Sequence, residues 1–132
     1  MRITHLVPII CCCMSVQAAV TAEIEGIFER YIQLAQELTP ILAAAKDKET
    51  ADANAKALYD VLPKVYDART ELMKIEKLSP EAQAELVQKY GKTMQTEWGK
   101  VYEQIFWLEK SNCYHSLSFF KQFRALCMML QQ

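Results

Sequence analysis

The chain has 132 residues, 52% of them hydrophobic and 23% charged, with a formal net charge of −1. That is the size and composition of one domain with a core, too apolar for a disordered chain. Basic and acidic residues nearly balance, so the clustered cationic excess that nucleic-acid binding requires is missing, and nucleic acid is not an expected partner. Only three Gly and four Pro occur, and a chain so poor in turn formers favours long helices over many strands.

The first 22 residues differ from the rest. Arg2 is a minimal basic start, Leu6–Val16 (LVPIICCCMSV) is an apolar run of 11 residues, and Val20-Thr21-Ala22 offers small residues where a signal peptidase reads. Val16-Gln17-Ala18 is a second cleavage site of the same kind. A membrane span needs about 20 apolar residues, and Ser15, Gln17 and Thr21 interrupt this run before that length. The expectation is a signal peptide over residues 1–22, a secreted or periplasmic domain over residues 23–132, and no stable membrane span after cleavage. Removal of the leader takes Cys11, Cys12 and Cys13 with it and leaves Cys113, Cys127 and one histidine, His115.

A first helix is expected over Glu23–Ala45, with Ile24, Phe28, Tyr31, Leu34, Leu38, Ile41 and Leu42 at helical spacing. Pro40 predicts a kink rather than a stop, because the apolar stripe continues through it in register. Lys46–Glu49 reads as a loop and Thr50 as the cap of a second helix. In that helix Leu58, Val61, Val65, Ala68, Leu72 and Ile75 form a three-four stripe, again uninterrupted in phase by Pro63. Heptad-like spacing suggests a coiled coil, but further stripes of the same period in one chain favour an intramolecular bundle.

Leu78-Ser79-Pro80-Glu81 is a stop followed at once by a start, with Ser79 as cap and Pro80 at the first helical position. So short a connection predicts an antiparallel hairpin of the second and third helices. The third helix carries Val87, Tyr90, Met94, Trp98, Val101, Ile105 and Leu108. Gly91 and Gly99 weaken it by about 1 kcal/mol each, which points to close approach of a neighbouring backbone. After a loop at Ser111–His115, Ser116 caps a short fourth helix to Leu130, with Phe119, Phe120, Phe123, Leu126, Cys127 and Leu130 facing inward. The fold expected is therefore an all-α, small antiparallel bundle of three long helices and a short C-terminal one.

Templates for catalysis and cofactor binding find no match. There is no phosphate-binding glycine loop, no haem-attachment motif and no His-Glu-x-x-His pair, so no catalytic, cofactor-binding or metal residue is assigned. Cys113, His115, Cys127, Met128 and Met129 are soft-metal ligand types. However, Cys127 should lie roughly 16 Å along the fourth helix at 1.5 Å per residue, too far from Cys113 for a shared metal or a disulfide. Cys113 is expected as an exposed loop thiol open to an intermolecular bridge, and Cys127 as a small buried hydrophobe. Leu78–Gln83 is similar to the Leu-Thr-x-x-Gln repeat of Spy-like periplasmic chaperones, but it is one residue longer and occurs once, so no family is assigned.

The most specific surface signal is Ile105-Phe106-Trp107-Leu108, which surrounds its helix with large apolar groups, beside an aromatic row at Trp98, Tyr102 and Phe106. The plain expectation is that the fourth helix folds back over this row. The functional alternative is an interaction patch of Trp98, Tyr102, Phe106 and Trp107 for a second subunit, a client protein or a lipid-like ligand. The expected role is a non-enzymatic interaction or structural module, through a protein partner or self-association. The alternative is a carrier of a small hydrophobic ligand, held between the third and fourth helices.

Overall fold

The computed structural model describes residues 19–75 and 77–131. Of the expected leader, residues 1–18 lie outside the described residues. The rest is an all-α bundle of four helices, with no β-strand among the described residues. Among them, no helix is long and apolar enough to cross a membrane.

Helix α1 spans Ala22–Ala43. Thr21 caps it, its hydroxyl accepting the Ile24 N–H at 3.2 Å, and Glu23 and Glu25 sit at the positive end of its dipole. The helix runs on through Pro40. Leu34, Ala35, Leu38 and Leu42 are buried on both sides of that proline, and this burial outweighs the roughly 3 kcal/mol a mid-helix proline costs.

Helix α2 spans Lys48–Met73 and starts earlier than a Thr50 cap implies. Asp47 is the cap. Its carboxylate accepts the Thr50 N–H at 2.8 Å while the Thr50 hydroxyl accepts the Asp47 N–H at 3.0 Å, so Thr50 is the returning half of a capping box. Leu58, Val61, Leu62 and Val65 are buried, and Pro63 points outward. The helix ends at Met73 rather than Leu78, and the residues from Lys74 to Ser79 form a longer connection than the sequence suggested.

Helix α3 is continuous but has three parts: Pro80–Leu86, a π-helical turn at Val87–Gly91, and Lys92–Lys110. Ser79 caps it as expected, its hydroxyl accepting the Ala82 N–H at 3.1 Å. The π turn adds a residue to one turn and so rotates the helix before it. The buried stripe shifts by one residue there: Leu86 and Tyr90 are buried, whereas Val87 is 69% exposed. Helix α4 spans Leu117–Leu130, capped by Ser116 through the Phe119 N–H at 3.2 Å.

The pairing of helices corrects the expected hairpin. The Lys92–Lys110 part of α3 packs along α1, and α1 along α2, while the open side of α2 is covered by α4. The six-residue connection lets α3 cross to the far side of α1 instead of folding back on α2. The core these helices share contains Leu38, Leu58, Val65, Trp98, Val101 and Phe119. A second, smaller cluster of Ile32, Leu86 and Tyr90 closes the other end of α1, with Val20, Ile24 and Phe28 packed on it.

A strained connection aims α4. Asn112, Cys113, Tyr114 and His115 all have positive φ (52°, 51°, 54° and 63°), a left-handed turn that costs L-residues about 1–2 kcal/mol each. It persists because it is held from both sides. The Tyr114 N–H donates to the Ser111 carbonyl and the Ser116 N–H to the Cys113 carbonyl, each at 3.0 Å. The fully buried Ser116 hydroxyl donates to the Asp52 carboxylate at the start of α2, and Ser118 adds a bond to the same oxygen at 3.2 Å.

Candidate functional site

The turn at Asn112–His115 sends α4 onto α2, so the aromatic row on α3 is left without the cover expected of it. This is the main correction to the sequence reading. Tyr102, Phe106 and Trp107 are 51%, 49% and 55% exposed. Phe106 and Trp107 meet edge to face at 5.3 Å between ring centroids, and the Lys110 ammonium lies 5.3 Å over the Phe106 ring. An apolar surface of three large aromatics on one helix is the kind of feature that soluble domains use for contact with a partner.

Trp98 departs from the other three. It is 5% exposed and stacks on Tyr31 of α1 at 4.4 Å, with rings 25° apart. Its indole N–H donates to the Tyr31 carbonyl at 3.1 Å, which satisfies the one polar atom that burial would otherwise strand. Trp98 therefore locks α3 to α1. It stands beneath the patch and touches it only through Tyr102, at 6.2 Å. Since Trp98 faces α1, the hollow it lines lies on the α1 side of α3.

Two hollows follow the seam of α1 and α3. One, of about 390 Å³, is lined by Tyr31, Met94, Gln95, Trp98, Gly99 and Tyr102. The next, of about 430 Å³, is lined mainly by Phe28, Leu78, Leu86, Val87, Tyr90 and Met94. Met94 and Gln95 belong to both, so the two hollows adjoin and together form a trough from the π turn towards the exposed aromatics. The seam between α1 and α2 is polar instead, crossed by Arg30–Glu71 at 2.7 Å and Lys64–Glu37 at 2.9 Å. Sequence reasoning missed the trough because it depends on the phase shift at Val87–Gly91. The signal was present: Leu86, Tyr90, Met94 and Trp98 are a clean i, i+4 series that omits Val87.

The glycines do not meet a neighbouring backbone within the chain. A methyl group at Gly91 would touch only the Val87 side chain at 3.4 Å, and at Gly99 it would meet nothing within 4 Å.

Cys113 is also corrected. The left-handed turn swings it inward to 1% exposure, so the loop thiol is buried rather than exposed, and burial, with Cys127 and Glu109 nearby, pushes its pKa up to about 11. Cys127, partly buried against the same core, is raised to about 11 by burial and by Glu109. Both are free thiols. His115 is exposed on the turn. Among the described residues, no group of three or more His, Cys, Asp or Glu side chains is placed to hold a metal ion.

Comparison with known proteins adds no relative: no protein family, characterised protein or solved structure matches this chain.

Proposed function

We propose that this protein is a secreted or periplasmic, non-enzymatic helical module that works by protein–protein contact through the outward side of α3. The observation that carries the reading is the unpartnered aromatic group Tyr102, Phe106 and Trp107. It rests on a helix fixed from behind by the Trp98–Tyr31 stack and indole hydrogen bond. A rigid scaffold with large aromatics in front is the economical form of a contact surface, because little side-chain freedom is lost on binding. A photo-crosslinking residue at position 106, with position 59 on α2 as control, tests it in the producing cell. Tyr59 is 61% exposed against 49% for Phe106, so the control position is at least as accessible. Adducts confined to position 106 support the reading, and equal labelling or none at either position refutes it.

The compartment rests on the leader. Of the two cleavage sites, that after Ala18 keeps Val20, which packs on the Leu86–Tyr90 cluster, and the Thr21 cap. That after Ala22 discards both. Cleavage after Ala18 is the better match to the fold, and sequencing the N-terminus of exported protein distinguishes the two.

The trough at the π turn favours one second reading, carriage of a small hydrophobic ligand. It is apolar, of ligand-binding size at about 430 Å³, and π turns recur at functional sites. Leu86→Gln should abolish uptake of a fluorescent apolar probe if ligand binds there, while Trp107→Ser leaves uptake intact. Loss through Trp107 alone speaks against this site.

A further inference from the structure

Gly99 is an anomaly in the isolated chain. It lies inside the Lys92–Lys110 helix, where glycine costs about 1 kcal/mol relative to alanine. A Cβ there meets nothing within 4 Å, and its φ is helical. Neither backbone conformation nor internal packing explains it. The helix is open there to close approach from outside the chain.

The neighbours of Gly99 suggest what approaches. On the same side of the helix stand Lys92, Gln95, Tyr102, Phe106 and Glu109, at steps of three and four. The N-terminal half of this stripe is hollow, formed by Gln95 and Gly99 over Met94 and Trp98. The C-terminal half protrudes, with Tyr102 and Phe106 about half exposed. Hollow and protrusion on one stripe are complementary when the stripe is reversed. We propose that the α3 face binds a second copy of this chain, antiparallel about a two-fold axis passing between Lys100 and Val101. This rests on the contact reading above and names its partner.

In this register Tyr102 of each copy sits over Gly99 of the other, and Phe106 meets Gln95. Contacts of this reciprocal kind define an isologous dimer. Charge agrees with the direction. Lys92 and Glu109 stand at opposite ends of the stripe; antiparallel copies bring each lysine to the other's glutamate end, whereas parallel copies set like on like. The chain's net charge of −1 opposes neither. Trp107, one residue off the stripe, lies at the rim.

Sedimentation velocity of the purified protein over a concentration series tests the proposal. Wild type should dimerise, and Gly99→Leu should weaken the dimer by about tenfold or more, equivalent to 1.4 kcal/mol. At concentrations where both proteins are monomeric, the same variant should melt no lower than wild type, since leucine is the better helix former and the site is open. A lower melting temperature with unchanged association would mean that Gly99 serves only the fold, and would overturn the proposal. Single cysteines then read the direction. Gly99→Cys, close to its own copy across the axis, should form an interchain disulfide under mild oxidation, while Lys92→Cys, far from the axis, should not. Equal bridging at both positions indicates a parallel pair and refutes the register. A wild type that is monomeric throughout, yet crosslinks from position 106 to another protein in the cell, refutes the second copy and leaves the contact reading standing.

Discussion

At the scale of single residues, burial decides what chemistry each polar or reactive group keeps. The two thiols illustrate this. With both pKa values near 11 against an ordinary value of 9.0, the folded state holds the neutral form, and the contribution to stability is complete below the unfolded pKa. It is lost as pH rises from about 9 through about 11, because only the unfolded chain ionises freely there. Denaturation midpoints should therefore fall over that window, and Cys113→Ala should flatten the fall. Alkylation of native protein near neutral pH should be slow and should accelerate on unfolding, a direct assay of the buried Cys113. Asp52 carries the opposite sign. Hydrogen bonds from Ser116, then the Lys48 interaction, hold its pKa below the usual carboxylate value. Its stabilisation is present above that value and disappears as acid protonates it in the folded state. Asp52→Ala should lower the midpoint at neutral pH and bring it closer to that of wild type at low pH, measured by chemical denaturation at each.

At the scale of elements, the informative comparison is between neighbours that look alike in sequence. Leu86 and Val87 are both apolar residues of α3, yet one is 5% exposed and the other 69%. Leu86→Ala should cost about 2–5 kcal/mol, whereas Val87→Ala should stay within about 0.5 kcal/mol, as surface substitutions do. Denaturant titration of the two variants reads which residue of the pair faces α1. The existence of the four helices was legible from their stripes, and the caps at Ser79 and Ser116 from the side-chain chemistry each position needs. What was not legible were features set by a neighbour or by backbone strain. Asp47 became the cap because Thr50 returned a bond to it. The extra residue at Val87–Gly91 changed phase without any glycine or proline at its start. The patch was half legible for the same reason: Tyr102, Phe106 and Trp107 stand out as a dense aromatic group, but only the position of Tyr31 sends Trp98 inward.

At the scale of the whole molecule, the bundle is held by pairings that join distant parts of the chain. Trp98 and Tyr31 are 67 residues apart, and Ser116 and Asp52 are 64. The two tryptophans report the two surfaces of α3 separately. Trp107→Phe should leave a blue-shifted emission resistant to iodide, from the buried Trp98, while Trp98→Phe should leave a red-shifted, quenchable one from Trp107, 55% exposed. Helix α4 has a consequence in time as well as in space. As the chain emerges from the ribosome, the apolar side of α2 is present long before Phe119, Phe123 and Leu126 arrive to cover it. Between those moments Leu58 and Val65 have no lid, and contacts this far apart in sequence slow the closing step.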